Sequence, residues 1–322
     1  MLLRLLLLVT ALSAAAQDTG PAKNDPSVPR DRDTVLRIQI FLDKHLFGPG
    51  KLDGAIGEFT YKAVVNYNYS RGHTDIYNWD HVKSAAEAEV PVIFAAFKVR
   101  EDLFKFINKD LPEDPAEQAD FPYMAYRSLS ELVAERFHTD ETFLAKINPG
   151  KTIDTMKTGA VIVVPNVRSF KIEDVKAMQS FPTDKTLAAR TIVVDTVERM
   201  AAIYTPEEEM IAAFPITPGK PQFIPVGTWK VQSMMTTPSF RYDKQFLEEG
   251  VRGEEAFQLP PGPNSPIGII WCGLSKSGIG LHGTALPRTI GRTRSAGCVR
   301  LANWDAIRLP GLIRPGAKVI VR

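Results

Sequence analysis

The apolar residues of this chain change rhythm along its length. After a charged start at Arg4, an apolar run continues to Leu12 and ends in Ser13, Ala14, Ala15 and Ala16. A charged segment, a brief apolar stretch and a small-residue end make the pattern of a cleaved export signal, so a signal peptide is expected over 1–16. The run is short for a bilayer span, which argues against an uncleaved anchor. No Cys follows it, which argues against a lipoprotein. Residues 17–33 are polar with several Pro and Asp, a composition that predicts a disordered leader.

A helical rhythm follows. Val35, Leu36, Ile38, Gln39, Ile40 and Leu42 suit one helix face, with Asp33 or Thr34 as cap. Phe47 to Gly54 is dense in turn residues, and 57–67 reads as a second helix. Residues 71–120 carry little pattern and are assigned to a connecting region, in which 93–97 suits either a strand or a helix. Leu129, Leu132, Val133 and Phe137 are spaced for one helical face. A turn at Lys157 to Gly159 then leads into an apolar strand ending at Pro165. Residues 168–187 read as a linker.

From Thr191 the rhythm becomes that of strands. Short apolar runs at 191–195, 201–204, 210–214, 227–231, 268–271 and 318–322 alternate with turn signals, and one helix is expected over 303–309. The C-terminal third is therefore mainly β.

The chemistry concentrates in 281–301. His282 offers a base and Cys298 a soft nucleophile, with fifteen residues between them. A thiol is mostly protonated near neutral pH and needs an adjacent base or a positive field to react as thiolate. Arg292, Arg294 and Arg300 crowd the segment and predict such a field. Gly297 lets backbone approach a reacting carbonyl.

These residues carry a resemblance. His282-Gly283-Thr284, followed by Ser295-Ala296-Gly297-Cys298-Val299-Arg300-Leu301, is similar to the signature of the YkuD-type L,D-transpeptidases. Ala296 stands where that family usually has a second His, which leaves His282 as the nearby base. Gly262-Pro263-Asn264-Ser265-Pro266-Ile267-Gly268 and Ile224-Pro225-Val226-Gly227-Thr228-Trp229 also match, with Ile224 where Thr is common. The resemblance spans about 188–322. Upstream, 34–70 resembles a peptidoglycan-binding-like helical repeat, with a plain helical hairpin as the competing reading. Residues 121–167 resemble a LysM module whose usual opening is replaced by Tyr126-Arg127-Ser128-Leu129, so glycan anchoring and a spacer role both stay open.

The resemblance implies a multidomain protein: a mainly-β YkuD-like catalytic domain at the C-terminus, preceded by small α-helical and α+β modules. It implies a cysteine L,D-transpeptidase acting on peptidoglycan tetrapeptide stems, as donor and acceptor, through a thioester. The products are 3→3 cross-links or a protein attached to the wall. Cys298 is the implied nucleophile and His282 the base. The Gly283 carbonyl would orient the imidazole, and the Gly297 and Cys298 N–H groups would face an oxyanion. Arg300, Ser295 and Thr284 are candidate substrate contacts. A hydrolase on the same thioester route and a non-catalytic wall-binding scaffold are the alternatives. A Cys272–Cys298 disulfide would favour the scaffold; otherwise Cys272, in an apolar run with Trp271, reads as a buried small hydrophobe.

Composition narrows the rest. The net charge is +2, and losing Arg4 with the signal leaves +1, which makes no case for nucleic acid. No His-Glu-x-x-His or Cys-x-x-Cys spacing and no Gly-rich phosphate loop occur, so no metal, nucleotide or other cofactor is expected. Export predicts the periplasm or cell wall.

Overall fold

The computed structural model describes residues 25–220, 222–224 and 226–322. The expected signal peptide and residues 17–24 of the leader lie outside the described residues. Among the described residues no helix is long and apolar enough to cross a membrane.

Three helices open the fold: α1 (Arg32–Lys44), α2 (Glu58–Ser70) and α3 (Trp79–Glu89). The cap of α1 is Asp31, whose carboxylate accepts the Thr34 N–H at 2.8 Å, so the helix starts earlier than the apolar pattern suggests. Gln39 is buried within α1 and explains the turn that follows. Its amide accepts from the backbone N–H of Asp53 and Gly54 and donates to the Ala55 carbonyl and Thr60 Oγ1. Helix α3 was not read from sequence, although Trp79, Val82 and Ala86 bury at helical spacing. The described end of the leader is held too: Ser27 Oγ accepts the Trp79 N–H at 3.2 Å.

Next comes a β-α-α-β unit. Strand β1 (Phe94–Lys98) pairs antiparallel with β2 (Val161–Pro165), and between them lie α4 (Leu129–Arg136) and α5 (Glu141–Ile147). Its first strand falls inside the stretch assigned to a connecting region. The partner strands are far apart in sequence, and residue pattern alone does not reveal such pairing. Helix α4 is buried almost all round, including Glu135 and Arg136. Arg136 makes a bidentate pair with Glu173 at 2.9 Å.

The C-terminal part contains β3 (Thr191–Asp195), β4 (Met200–Tyr204), β5 (Met210–Pro215) and β6 (Gly227–Thr236). An arm follows, made of β7 (Phe240–Tyr242), α6 (Lys244–Glu249) and β8 (Phe257–Leu259). Then come β9 (Ile270–Leu274), β10 (Gly280–His282), β11 (Val299–Arg300), α7 (Asn303–Ala306) and β12 (Lys318–Val321). Eight of these strands form one mixed sheet in the order β11-β10-β9-β6-β12-β3-β4-β5. Ten-residue β6 joins its two halves: its first residues pair with β12, and those after an irregularity between Val231 and Ser233 pair with β9. An irregularity of this kind bends a strand and increases its twist. The expected linker is not free chain, because Phe181 N–H bonds the Met234 carbonyl and Thr236 N–H the Gln179 carbonyl.

The modules share their cores. Val193, Met200, Tyr204, Met210 and Ala213, on one face of β3–β5, pack with the apolar residues of α1–α3. The opposite face packs with the β-α-α-β unit and with Trp304 of α7. Backbone bonds from Gly48 N–H to the Ala213 carbonyl, and from Ala213 N–H to the Leu46 carbonyl, cover the β5 edge. A buried polar cluster ties three segments together. Asp43 of α1 bonds His138 Nδ1 at 3.0 Å and accepts from Arg308 at 2.8 Å, and Arg308 reaches Asp305 of α7. The His138 ring stacks on Trp304 with centroids 5.5 Å apart. Burial opposes the charge on Asp43, yet Arg308 and His138 hold its carboxyl well below the usual range.

Candidate active site

Register decides what faces what on the β9-β10-β11 wing. Leu281 lies opposite Cys272 on β9 and Val299 on β11, and all three are buried in the core. His282 lies opposite Trp271 and Arg300, so these three share the other face. Cys272 and Cys298 are both free thiols. Cys272 sits among the core residues, where burial pushes its thiol up to about 12.

The imidazole of His282 is held from two directions. Its Nδ1 donates to the Gly283 carbonyl at 2.6 Å, a tautomer that leaves Nε2 as the acceptor. Its ring stacks on Trp271, with centroids 5.8 Å apart and an interplanar angle of 22°. Trp271, although it stands in an apolar run, is only partly buried. Its indole has room because its neighbours are glycines. A Cβ at Gly280 would lie 2.8 Å from the indole, and one at Gly273 2.9 Å from it.

Cys298 closes a tight turn just before β11. The Ser295 hydroxyl donates to the Cys298 carbonyl and accepts the Gly297 N–H at 3.3 Å. Gly297 has φ +148°, a conformation that favours glycine. A neighbouring segment grips the turn: Lys220 N–H bonds the Ser295 carbonyl and Ser295 N–H the Pro218 carbonyl. Gly219 is so close that a Cβ there would lie 2.5 Å from Gly297 Cα. The Cys298 thiol donates to the Gly278 carbonyl at 3.5 Å. The ring of Phe246, from the arm, comes within 3.7 Å of a Cβ built on Gly278.

The electrostatics differ from the sequence expectation of a thiolate-favouring field. Arg292 and Arg294 are exposed. Arg300 alone among the three acts on both groups, disfavouring charge on His282 and favouring it on Cys298. Burial outweighs it. Although part of Cys298 reaches solvent, burial pushes its thiol up to about 11, against the Gly280 N–H and Arg300. Burial and then Arg300 push the His282 imidazole down to about 3, against its bond to Gly283. Both groups are therefore neutral across the physiological range.

The other predicted residues fall into two sets. Arg300 lies beside the pair and makes no salt bridge with a carboxylate among the described residues. Its buried Nε has no hydrogen-bond partner among the described residues, and burial lowers its own pKa. Ser295 and Thr284 are buried and hydrogen-bond within their own loops, Thr284 Oγ1 accepting the Leu286 N–H at 3.2 Å. The Gly297 N–H, expected at an oxyanion, is taken by Ser295. Among the described residues no group of three or more His, Cys, Asp or Glu side chains is placed to hold a metal ion.

The family model of YkuD, the L,D-transpeptidase catalytic domain, matches residues 189–321 of this chain. The chain is similar to a putative L,D-transpeptidase YkuD of Bacillus licheniformis, 26% identical over 192 residues, covering 59% of this chain and 92% of that protein. A second such protein, from Bacillus subtilis, is 41% identical over 59 residues, 18% of this chain and 36% of that protein. Among solved structures, an L,D-transpeptidase from Mycobacterium smegmatis aligns at 16% identity with a TM-score of 0.34, over 52% of this chain and 75% of that one.

Proposed function

We propose that this protein is an exported cysteine L,D-transpeptidase that acts on peptidoglycan tetrapeptide stems in the periplasm or cell wall. The observation that carries the reading is the strand pair β10-β11. It puts a neutral imidazole with a defined tautomer and a cationic Arg300 on one face, beside a turn that presents Cys298.

Cys298 Sγ attacks the carbonyl carbon of the third stem residue, and its proton passes to His282 Nε2. The Gly283 carbonyl stabilises the imidazolium that forms. The Cys298 N–H supports the oxyanion, a contribution of about 2.7–4 kcal/mol for such a donor. The bond to the terminal D-Ala nitrogen then breaks, and Nε2–H protonates the leaving amine. An acceptor side-chain amine attacks the thioester, gives its proton to Nε2, and the C–S bond breaks. The thiol regains its proton from the imidazolium. Arg300, with no carboxylate partner among the described residues, meets a carboxylate of the stem. The resulting products are 3→3 cross-links or a protein joined to the wall. Replacing the acceptor amine by water gives the hydrolase alternative.

Incubation with a disaccharide tetrapeptide, followed by mass spectrometry of products, tests the reading. Cross-linked dimers that vanish in Cys298→Ala are expected. Tripeptide alone would point to the hydrolase, and unchanged substrate would overturn the enzyme assignment.

A further inference from the structure

We propose that Glu135, on helix α4 of the β-α-α-β unit, is a positioning residue for His282, acting through Asn303 on the Gly283 backbone. The Gly283 carbonyl is the hydrogen-bond partner of His282 Nδ1, at 2.6 Å. Whatever fixes that peptide therefore fixes the imidazole tautomer and its tilt. Asn303, the first residue of α7, is wedged beneath it. Its Oδ1 would lie 2.1 Å from a Cβ built on Gly283 and 2.1 Å from one built on Gly268. Neither glycine therefore tolerates a side chain, and the amide fills the space that both leave. The same Oδ1 accepts the Ile269 N–H at 3.2 Å.

An amide in this place works in only one orientation. Turned over, its NH2 would face the Ile269 N–H and the crowded glycine backbone. The orientation is set from the other end. Asn303 Nδ2 donates to both carboxyl oxygens of Glu135, at 3.1 Å each, and to the Pro263 carbonyl at 3.2 Å. Glu135 is itself held by the Tyr126 hydroxyl, which donates to its Oε1 at 2.7 Å. Glu135, Tyr126 and Asn303 are all buried, so few other partners can replace one that is lost. Burial pushes the Glu135 carboxyl up to about 8, while the bonds from Tyr126 and Asn303 pull it down. A carbonyl-type oxygen faces Asn303 in either protonation state, so the device does not depend on ionisation.

The consequence is functional, not only adhesive. The β-α-α-β unit supplies the far end of a chain of contacts that stops at the imidazole, so its presence sets the geometry of the site. The turnover part of this inference rests on the proposed function. The spectroscopic part does not, because it is read on the substrate-free protein.

The test compares Glu135→Leu, Glu135→Asp and Glu135→Gln in the full chain. Histidine labelled with 15N reports whether Nδ1 of His282 carries a hydrogen-bonded proton, with His282→Gln as the assignment control. Glu135→Gln keeps an acceptor for Asn303 and is expected to keep the parent resonance. Glu135→Leu and Glu135→Asp, whose carboxyl is one methylene short, are expected to shift or lose it. In both, kcat should fall about tenfold with KM within about twofold, as expected when a reacting group is misplaced. If the leucine variant does not fold, the aspartate variant decides. A parent-like His282 resonance in folded Glu135→Asp would overturn the proposal, and so would loss of the resonance in Glu135→Gln.

Discussion

The indole of Trp271 and the imidazole of His282 lie stacked, 5.8 Å between centroids, across the β9-β10 pair. The arrangement depends on the absence of side chains at Gly273 and Gly280. The stack walls one side of the imidazole and, with the Nδ1 bond to Gly283, leaves it few other orientations. Trp271→Ala is expected to lower kcat about tenfold while the fold is kept, with Trp271→Phe intermediate. Steady-state kinetics beside circular dichroism check this. A parent-like kcat in Trp271→Ala would show that the ring is only a wall.

The neutral state of the Cys298–His282 pair has a direct signature. With the thiol pushed up to about 11, the thiolate fraction rises about tenfold per pH unit up to that point. Alkylation of the resting protein by iodoacetamide, followed by intact mass from pH 6 to 10, is expected to accelerate along that slope. A rate already at plateau near neutral pH would instead indicate a preformed thiolate–imidazolium pair. Cys272, buried on the other face, should stay unmodified throughout.

The polar cluster at the junction of the modules makes a stability prediction. Arg308→Ala leaves Asp43 and Asp305 buried without their shared cation. Breaking a buried pair from one side costs about 3–5 kcal/mol, and urea unfolding is expected to show a loss of that size. A loss below about 1 kcal/mol would mean the cluster behaves as an exposed pair does.

The pH dependence of stability follows from two opposite shifts. Burial, with Asp43 nearby, pushes Asp305 up to about 7 against Arg308. A carboxyl raised in the folded state binds its proton more tightly there. Its contribution is present below the ordinary value of 3.8 and is lost as pH rises through about 7. Glu173 is the reverse case: burial opposes its charge, but Arg136 and Arg100 hold it down to about 2. Its contribution is present above 4.5 and fades as pH falls toward 2. Relative to the parent, Asp305→Asn should therefore flatten the decline in thermal midpoint between pH 4 and 7, the part of the pH dependence that Asp305 itself contributes. An unchanged decline in that variant would assign it to another group.

Much of the site was legible because it is local in sequence. His282-Gly283 and Ser295 through Arg300 lie in two short segments, and the strand runs from Thr191 onward show their alternation plainly. What escaped depends on pairing between distant residues. Trp271 stands in an apolar run and reads as core; only the register with His282 and the glycines beneath its ring place it at the site. Glu135 looks like an ordinary solvent-facing helix charge until α4 is seen packed between its own sheet and α7. The three arginines read alike in sequence, yet only Arg300 is turned toward the pair, and desolvation rather than charge sets the thiol. Strand β1 is ambiguous in sequence because its partner β2 begins only at Val161, after several intervening helices.

The central claim is that Cys298 forms a thioester with the stem. The most direct test is intact and peptide-level mass spectrometry after brief exposure to a tetrapeptide donor with no acceptor amine. The account predicts a mass increase equal to the acyl tripeptide, located on the peptide containing Cys298 and absent in Cys298→Ala. An adduct that persists in Cys298→Ala, or product formed by protein that never carries one at Cys298, would contradict it.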